Sequence, residues 1–221
     1  VQPYGCGGVG IADVDGTGPS IFVMTTAGMA RLTAEGELLW ATEPAEDPHP
    51  YGYIWPAFAD LDGDGTSEIA AGSTVLNADG SIRWTGAGGT SGFSFFADLD
   101  QDGDAELIVG RTVYNADGSI LWDEGANGKS AVADLDLDGD PEIVTVVRDV
   151  GVSARHHDGT LMWEIGLDEL GGGPPTIADF DGDGIGDFLD DDDDALVESY
   201  HIGNVYSNEH GNNAASLLYT S

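Results

Sequence analysis

Short apolar runs recur along the chain, and polar turns of repeating composition separate them. The first unit reads Gly10-Ile-Ala-Asp-Val, Ile21-Phe-Val-Met-Thr-Thr, Met29-Ala-Arg-Leu-Thr and Glu37-Leu-Leu-Trp40, with glycine-containing turns between the runs. Runs this short, rich in β-branched and aromatic residues and bounded by Gly, Asp and Ser, predict strands, four to a unit. The same plan returns in units of about 9–43, 57–87, 93–126, 130–165 and 175–221. A marker late in each unit sets its register. Asn77-Ala-Asp-Gly-Ser-Ile-Arg-Trp84 returns as Asn115-Ala-Asp-Gly-Ser-Ile-Leu-Trp122, and more loosely from Thr33 to Trp40 and from His156 to Trp163. Asp-Gly between apolar runs is a strong hairpin signal. Strand three therefore turns into strand four, which ends on Trp, and the four Trp are expected between units. Asn208 to Tyr219 is a weaker fifth copy with a longer turn.

Between strands one and two lies an acidic loop. Its clearest copy is Ala59-Asp60-Leu61-Asp62-Gly63-Asp64-Gly65-Thr66-Ser67-Glu68-Ile69, with carboxylates at loop positions 1, 3, 5 and 9 and glycine at 6. Asp98, Asp100, Asp102 and Glu106 repeat it around Gly103. Asp134, Asp136, Asp138 and Glu142 do so around Gly139, and Asp179, Asp181, Asp183 and Asp187 around Gly184. Asp13, Asp15 and Thr17, with Gly18, form a degenerate first copy that has Ile21 where the others have a carboxylate. Alternating carboxylates in a tight loop can converge on one hard cation, and calcium takes about six to eight oxygens at roughly 2.3–2.6 Å. A solvated acidic turn needs only one or two such residues. An EF-hand needs a bidentate Glu at position 12 and a helix on either side. Position 12 is Ala71, Val109 and Thr145 in the three central copies, and their flanks read as strands.

The loops start at 13, 60, 98, 134 and 179, so the period is 36 to 47 residues. Four short strands at that period predict an all-β chain: a β-propeller of about five short four-stranded blades, with a calcium loop between strands one and two of each. Residues 1–221 would then form a single repeat domain. The pattern Ala-Asp-x-Asp-x-Asp-Gly-x-x-Glu-Ile, followed by Val-Gly or Ala-Gly, resembles the FG-GAP/VCBS repeats. These build the integrin alpha-chain β-propeller and many secreted bacterial propellers. The resemblance covers about residues 9–190 and implies about four to five Ca2+ ions held by the loop carboxylates, with Ile21 marking where repeat one departs from the pattern.

Charge narrows the partners. The formal net charge is −35 and Lys129 is the single lysine, which excludes nucleic acid, because phosphate binding needs a basic face. Divalent ions in the loops would relieve repulsion where it is strongest. With one cysteine, Cys6, no internal disulfide can form. Cys6 is then a small buried residue, a free thiol or half of an intermolecular bridge. No apolar stretch is long enough for a membrane span. The start lacks a basic segment followed by an apolar one, so any signal peptide is expected to have been removed. Calcium sites of extracellular affinity place the chain in a secreted, cell-surface setting.

Five segments break the rhythm, among them Glu164 to Pro175, which reads as a linker between repeats four and five. Glu43 to Pro56 carries His49, Tyr51, Tyr53 and Trp55 among prolines and suits either ligand binding or covering a blade edge. Asp190 to Asp194 forms an acidic run whose first residue falls at position 12 of the last loop. The glycine-rich residues 1–10 and the segment after 195 could pair with each other or with a neighbouring subunit. His156 and His157 stand where other units carry Asn-Ala and are expected to be turn residues. No Gly-x-Ser-x-Gly, His-Glu-x-x-His or Cys-x-x-Cys occurs, so no catalytic residue and no enzyme is expected. The expected function is a secreted calcium-binding propeller module in adhesion, ligand binding or assembly, with an extracellular protein or glycan as partner. The alternatives are a self-assembling subunit of an extracellular filament or surface layer, and a polysaccharide-active enzyme.

Overall fold

The computed structural model describes residues 8–25, 28–42, 55–88, 93–125, 128–166 and 173–177, and two short strands, 205–206 and 214–215. The described chain is all-β. Blade one comprises β1 (Val9–Ala12), β2 (Ser20–Thr25), β3 (Gly28–Thr33) and β4 (Leu38–Ala41). Blade two comprises β5 (Ala57–Ala59), β6 (Glu68–Ala71), β7 (Thr74–Leu76) and β8 (Ile82–Thr85). Blade three comprises β9 (Ser94–Ala97), β10 (Glu106–Val109), β11 (Thr112–Tyr114) and β12 (Ile120–Asp123). Blade four comprises β13 (Lys129–Ala133), β14 (Glu142–Val147), β15 (Gly151–Arg155) and β16 (Leu161–Gly166). Each is an antiparallel meander with its strands in chain order, the topology of a propeller blade, as expected. β17 (Val205–Tyr206) pairs with β18 (Ala214–Ala215) within the fifth unit.

Burial explains the apolar pattern. β10 and β14 are buried at every position, which is why Leu107-Ile108-Val109 and Ile143-Val144 run without polar interruption. The fourth strands β4, β8, β12 and β16 lie at the sheet edges and are largely exposed. The chain divides into two compact units, residues 1–98 with 102–127 and residues 99–101 with 128–221. In the first unit, Val14, Phe22, Met29, Ile69 and Leu76 form the core between blades one and two. Leu61, Ala70, Val75, Leu107, Val109 and Tyr114 form the one between blades two and three. In the second unit, Leu135, Val144, Val146, Val152 and Ala154 cluster in blade four, with Ile177 packed against them.

The Asn-Ala-Asp-Gly turns and the Trp residues prove to be one device. Each turn is closed by its glycine, with the Gly80 amide donating to the Asn77 carbonyl (2.9 Å) and Gly118 to Asn115 (2.9 Å). Glycine alone takes the left-handed region there (φ +86° and +85°), and the ladder slips by one residue beyond it, giving a bulged hairpin. The Trp40 indole N–H donates to the Ala78 carbonyl in the next blade's turn (2.9 Å), and Trp84 donates to Ala116 (3.0 Å). The ring of the preceding blade thus lies on the turn glycine of the following one. A Cβ on Gly80 would meet Trp40 at 2.7 Å, and one on Gly118 would meet Trp84 at 2.7 Å.

Features singled out in the sequence that lie outside the described residues include residues 1–7 with Cys6, the 43–54 part of the inserted segment, the fourth acidic loop (Asp179, Asp181, Asp183 and Asp187), the Asp190–Asp194 run, and residues 208–213 and 216–219 of the fifth marker copy. Trp55, at the end of the insertion, is described. It stacks on Phe93 with centroids 4.5 Å apart.

Candidate metal centres

The acidic loops leave the first strand at its terminal alanine and return at the first residue of the second. Ala59 pairs with Glu68, Ala97 with Glu106 and Ala133 with Glu142. Within each loop the carboxylates accept backbone amides in one scheme. Position 1 accepts from glycine 6: Gly65 to Asp60 Oδ2 (2.9 Å), Gly103 to Asp98 Oδ2 (3.1 Å) and Gly139 to Asp134 Oδ2 (3.1 Å). Position 5 accepts from position 7: Thr66 to Asp64 (2.7 Å), Asp104 to Asp102 (2.8 Å) and Asp140 to Asp138 (2.9 Å). Glycine 6 is left-handed in all three (φ +86°, +98° and +107°), so a side chain there would strain the turn. Position 4 is left-handed too, even where it is Gln101 (φ 56°) or Leu137 (φ 57°). Such strain in a non-glycine residue persists when the surrounding loop fixes it.

Two other positions anchor the loop. The apolar residue at position 2 points into the core: Leu61, Leu99 and Leu135 are all buried. The glutamate at position 9 is buried as well, at 3% exposed for Glu68, 5% for Glu106 and 0% for Glu142. One of its oxygens accepts the position 2 amide, Leu61 to Glu68 Oε2 (2.9 Å) and Leu135 to Glu142 Oε2 (2.7 Å). The expected ligand at position 9 is therefore also the pin that closes the loop. Position 2 was missed as a functional position, although Val14, Leu61, Leu99, Leu135 and Phe180 recur there. Burial pushes the Glu68 carboxyl up, while the Gly65 amide leads the bonds that hold Asp60 down.

The carboxylates converge as the spacing predicts, though not all of them. Oxygens of Asp60, Asp62 and Glu68 lie within 4.8 Å of one another, as do those of Asp98, Asp100 and Glu106, and of Asp134, Asp136 and Asp138. Asp64 and Asp102 are not part of these groups. The donor set is all oxygen, as a hard cation requires. Two atoms test the fit. Asp98 Oδ1 and Asp134 Oδ1 are buried and accept no hydrogen bond. A buried carboxylate oxygen without a partner is costly, and a cation in the loop would supply one.

Blade one is built differently. Ala12 pairs with Ser20, so the first loop is one residue shorter than the others and Ser20, not Ile21, stands in the glutamate's place. Arg31, 5% exposed, reaches in from β3. Its guanidinium donates to Asp15 Oδ2 (2.8 Å), Ser20 Oγ (3.0 Å) and the Ala78 carbonyl of blade two (3.2 Å). This holds the Asp15 carboxyl well below the usual carboxylate range. Among the described residues, Asp13 and Asp15 belong to no group of three or more His, Cys, Asp or Glu side chains close enough to share an ion. Replacing Arg31 by Met is expected to cost about 1–3 kcal/mol, the range for stranding buried partners. Urea unfolding should show the same loss in calcium and in chelator. A loss confined to one medium would show that this loop also responds to cation.

Basic groups also approach the loops of blades two and four. Arg83 Nη1 lies 3.0 Å from Asp62 and 3.2 Å from Glu68. His156 Nδ1 lies 3.2 Å from Glu142 Oε1 and His157 Nδ1 lies 3.7 Å from Asp140, so neither histidine is only a turn residue.

No protein-family profile matches the chain, and no curated protein matches it. Solved structures do. The biofilm matrix protein Bap1 of V. cholerae is 25% identical, with a TM-score of 0.64, covering 77% of this chain and 30% of its own. The exotype rhamnogalacturonan lyase YesX is 22% identical, with a TM-score of 0.58, covering 72% and 38%. The rhamnogalacturonan lyase YesW is 22% identical, with a TM-score of 0.50, covering 72% and 31%. This chain therefore spans between three and four tenths of the length of each. The two lyases correct the expectation of a non-enzymatic module. Enzymes are built on this fold, and a fold leaves chemistry to the sites grafted on it, so the lack of signature motifs does not make the chain a non-enzyme. Among the described residues no helix is long and apolar enough to cross a membrane. The likenesses agree with the blade topology: the chain is an all-β protein of propeller blades.

Proposed function

We propose that the chain is a calcium-clamped β-propeller module of an extracellular matrix protein, serving adhesion, ligand binding or assembly. The observation that carries the calcium part is the pair of buried, unpartnered oxygens, Asp98 Oδ1 and Asp134 Oδ1, within carboxylate groups that share 4.8 Å. Asp60, Asp62 and Glu68 would hold one ion, Asp98, Asp100 and Glu106 a second, and Asp134, Asp136 and Asp138 a third. The fourth acidic loop repeats their spacing and would add another. The resemblance of the loops to FG-GAP/VCBS repeats supports the same choice of ion. The matrix setting is supported by the likeness to the biofilm matrix protein Bap1 and by an acidic surface on which calcium would neutralise clustered Asp. The ions' chemistry here is structural: they tie strand one to strand two in each blade.

Equilibrium dialysis against millimolar calcium, with light scattering on the same samples, tests this. At least three ions per chain are expected, and Asp98→Asn and Asp134→Asn should each remove one. Calcium-dependent growth in particle size would assign assembly. A constant size with calcium-dependent retention on immobilised matrix polysaccharide would assign ligand binding. Fewer than one bound ion per chain would end the calcium reading.

A further inference from the structure

Blade four departs from its siblings at one turn. Where Asn77 and Asn115 use their amides to reach the Ser81 and Ser119 hydroxyls of their own turns (2.9 and 2.8 Å), blade four has His156. The turn itself is unchanged, since the His156 amide donates to Thr160 (3.0 Å) and Gly159 donates back to His156 (2.9 Å). The imidazole is thus released from turn duty. Its Nδ1 stands 3.2 Å from Glu142 Oε1, on a carboxylate that is fully buried and whose other oxygen is already engaged by the Leu135 amide.

We infer that His156, Glu142 and Asp136 form a site for a borderline transition-metal ion, of which Zn2+ is the type. The Nδ1 atom and one oxygen from each carboxylate lie within 4.8 Å of one another. A tetrahedral zinc ion with bonds of about 2.0–2.2 Å holds its ligands about 3.4 Å apart, close to the His156–Glu142 separation. Three protein ligands leave a fourth position for water. Imidazole nitrogen is what separates this set from the all-oxygen groups: nitrogen favours zinc, nickel or copper, and oxygen alone favours calcium and magnesium. Burial of Glu142 strengthens the site, because an anion removed from water interacts more strongly with a cation.

The two donor sets in this loop share Asp136. The same loop therefore offers an oxygen site built from Asp134, Asp136 and Asp138 and a mixed site built from Asp136, Glu142 and His156. In blade two the corresponding glutamate faces Arg83, a fixed cation that cannot itself become a metal ligand. A histidine can exchange that role for coordination, since its neutral form carries a lone pair. The mixed site does not depend on calcium being the occupant of the other loops.

The test uses the whole chain with calcium kept at millimolar concentration. Zn2+ is titrated calorimetrically, Co2+ is then substituted and its visible absorption recorded, and bound calcium is counted in the same samples. One zinc ion per chain is expected, with an intense visible cobalt band of four-coordinate type. His156→Asn, which restores the turn residue of blades two and three, should weaken zinc at least 100-fold and abolish the band while leaving the melting temperature in calcium within a few degrees. His157→Asn should keep both signals. Zinc binding unchanged in His156→Asn, or no zinc uptake by the parent chain, would overturn the inference. Zinc uptake that persists when the calcium count is zero would leave the inference standing and reject the calcium reading instead.

Discussion

Chelation is expected to lower the melting temperature of this protein by about 15–30 °C. Each loop that binds an ion only in the folded state adds roughly 2.7 kcal/mol when free calcium is about 100 times its dissociation constant. Three independent loops would together contribute about 8 kcal/mol, against a typical total of roughly 5–15 kcal/mol for a domain. For a chain of this length each kcal/mol moves the midpoint by about 2–4 °C. The structure adds a reason for the sign. Without a cation, the Asp98 and Asp134 oxygens are buried without partners, and the Asp and Glu side chains of each loop repel one another at less than 4.8 Å. Blade one should be least affected, because Arg31 already neutralises Asp15 there. Scanning calorimetry in calcium and in excess chelator measures the shift. Coincident melts would show that the loops are closed by their backbone hydrogen bonds alone.

The second large effect is expected at the seam between blades. Trp84→Ala should cost about 3–5 kcal/mol, the range for removing a large packed aromatic. It deletes a ring whose centroid lies 5.7 Å from that of Tyr114 and whose N–H donates to the Ala116 carbonyl. Gly118→Ala should cost about 2–5 kcal/mol. A left-handed alanine costs about 1–2 kcal/mol, and overpacking against the indole adds roughly 1–3 kcal/mol. Gly36 supplies the control: it has the same conformation (φ +87°), and a Cβ there meets nothing within 4 Å. Gly36→Ala should therefore lose only the backbone part. Denaturant unfolding of the three variants decides. Equal losses at Gly36 and Gly118 would rule out a role for the indole contact.

Much of this was legible in the chain itself. The four strands of a unit, the acidic loop between the first two and the glycine-closed turn between the last two all appear at the expected places. Each rests on local rules: apolar runs bounded by turn residues, left-handed glycines and side chains that bond amides two to five residues away. Propeller blades are legible for the same reason, since every strand pairs with its neighbour in the chain.

What could not be read involves contacts between residues far apart. Spacing alone aligns repeat one with Ile21 against the glutamates. The strand register instead sets Ser20 there, because the loop is shorter by one residue. Arg31 in that loop comes from a different strand, 16 residues beyond Asp15, and has no counterpart in the pattern. His156 has the backbone of a turn residue, while its side chain faces a glutamate 14 residues earlier. The Trp and Asn-Ala-Asp-Gly markers are two separate signals along the chain, and only packing joins them, across 38 residues for Trp40 and 32 for Trp84.

The sequence by itself determined the blade, the position of each described acidic loop and the choice of oxygen as donor. These follow from strand periodicity, turn chemistry and carboxylate spacing, all of which act within a few residues. Tertiary structure decided which carboxylates meet, which loop has a guanidinium among its carboxylates and where a histidine approaches the set. Those depend on strand register and on side chains brought together from separate strands and blades, and burial then fixes how strongly each charge needs its partner.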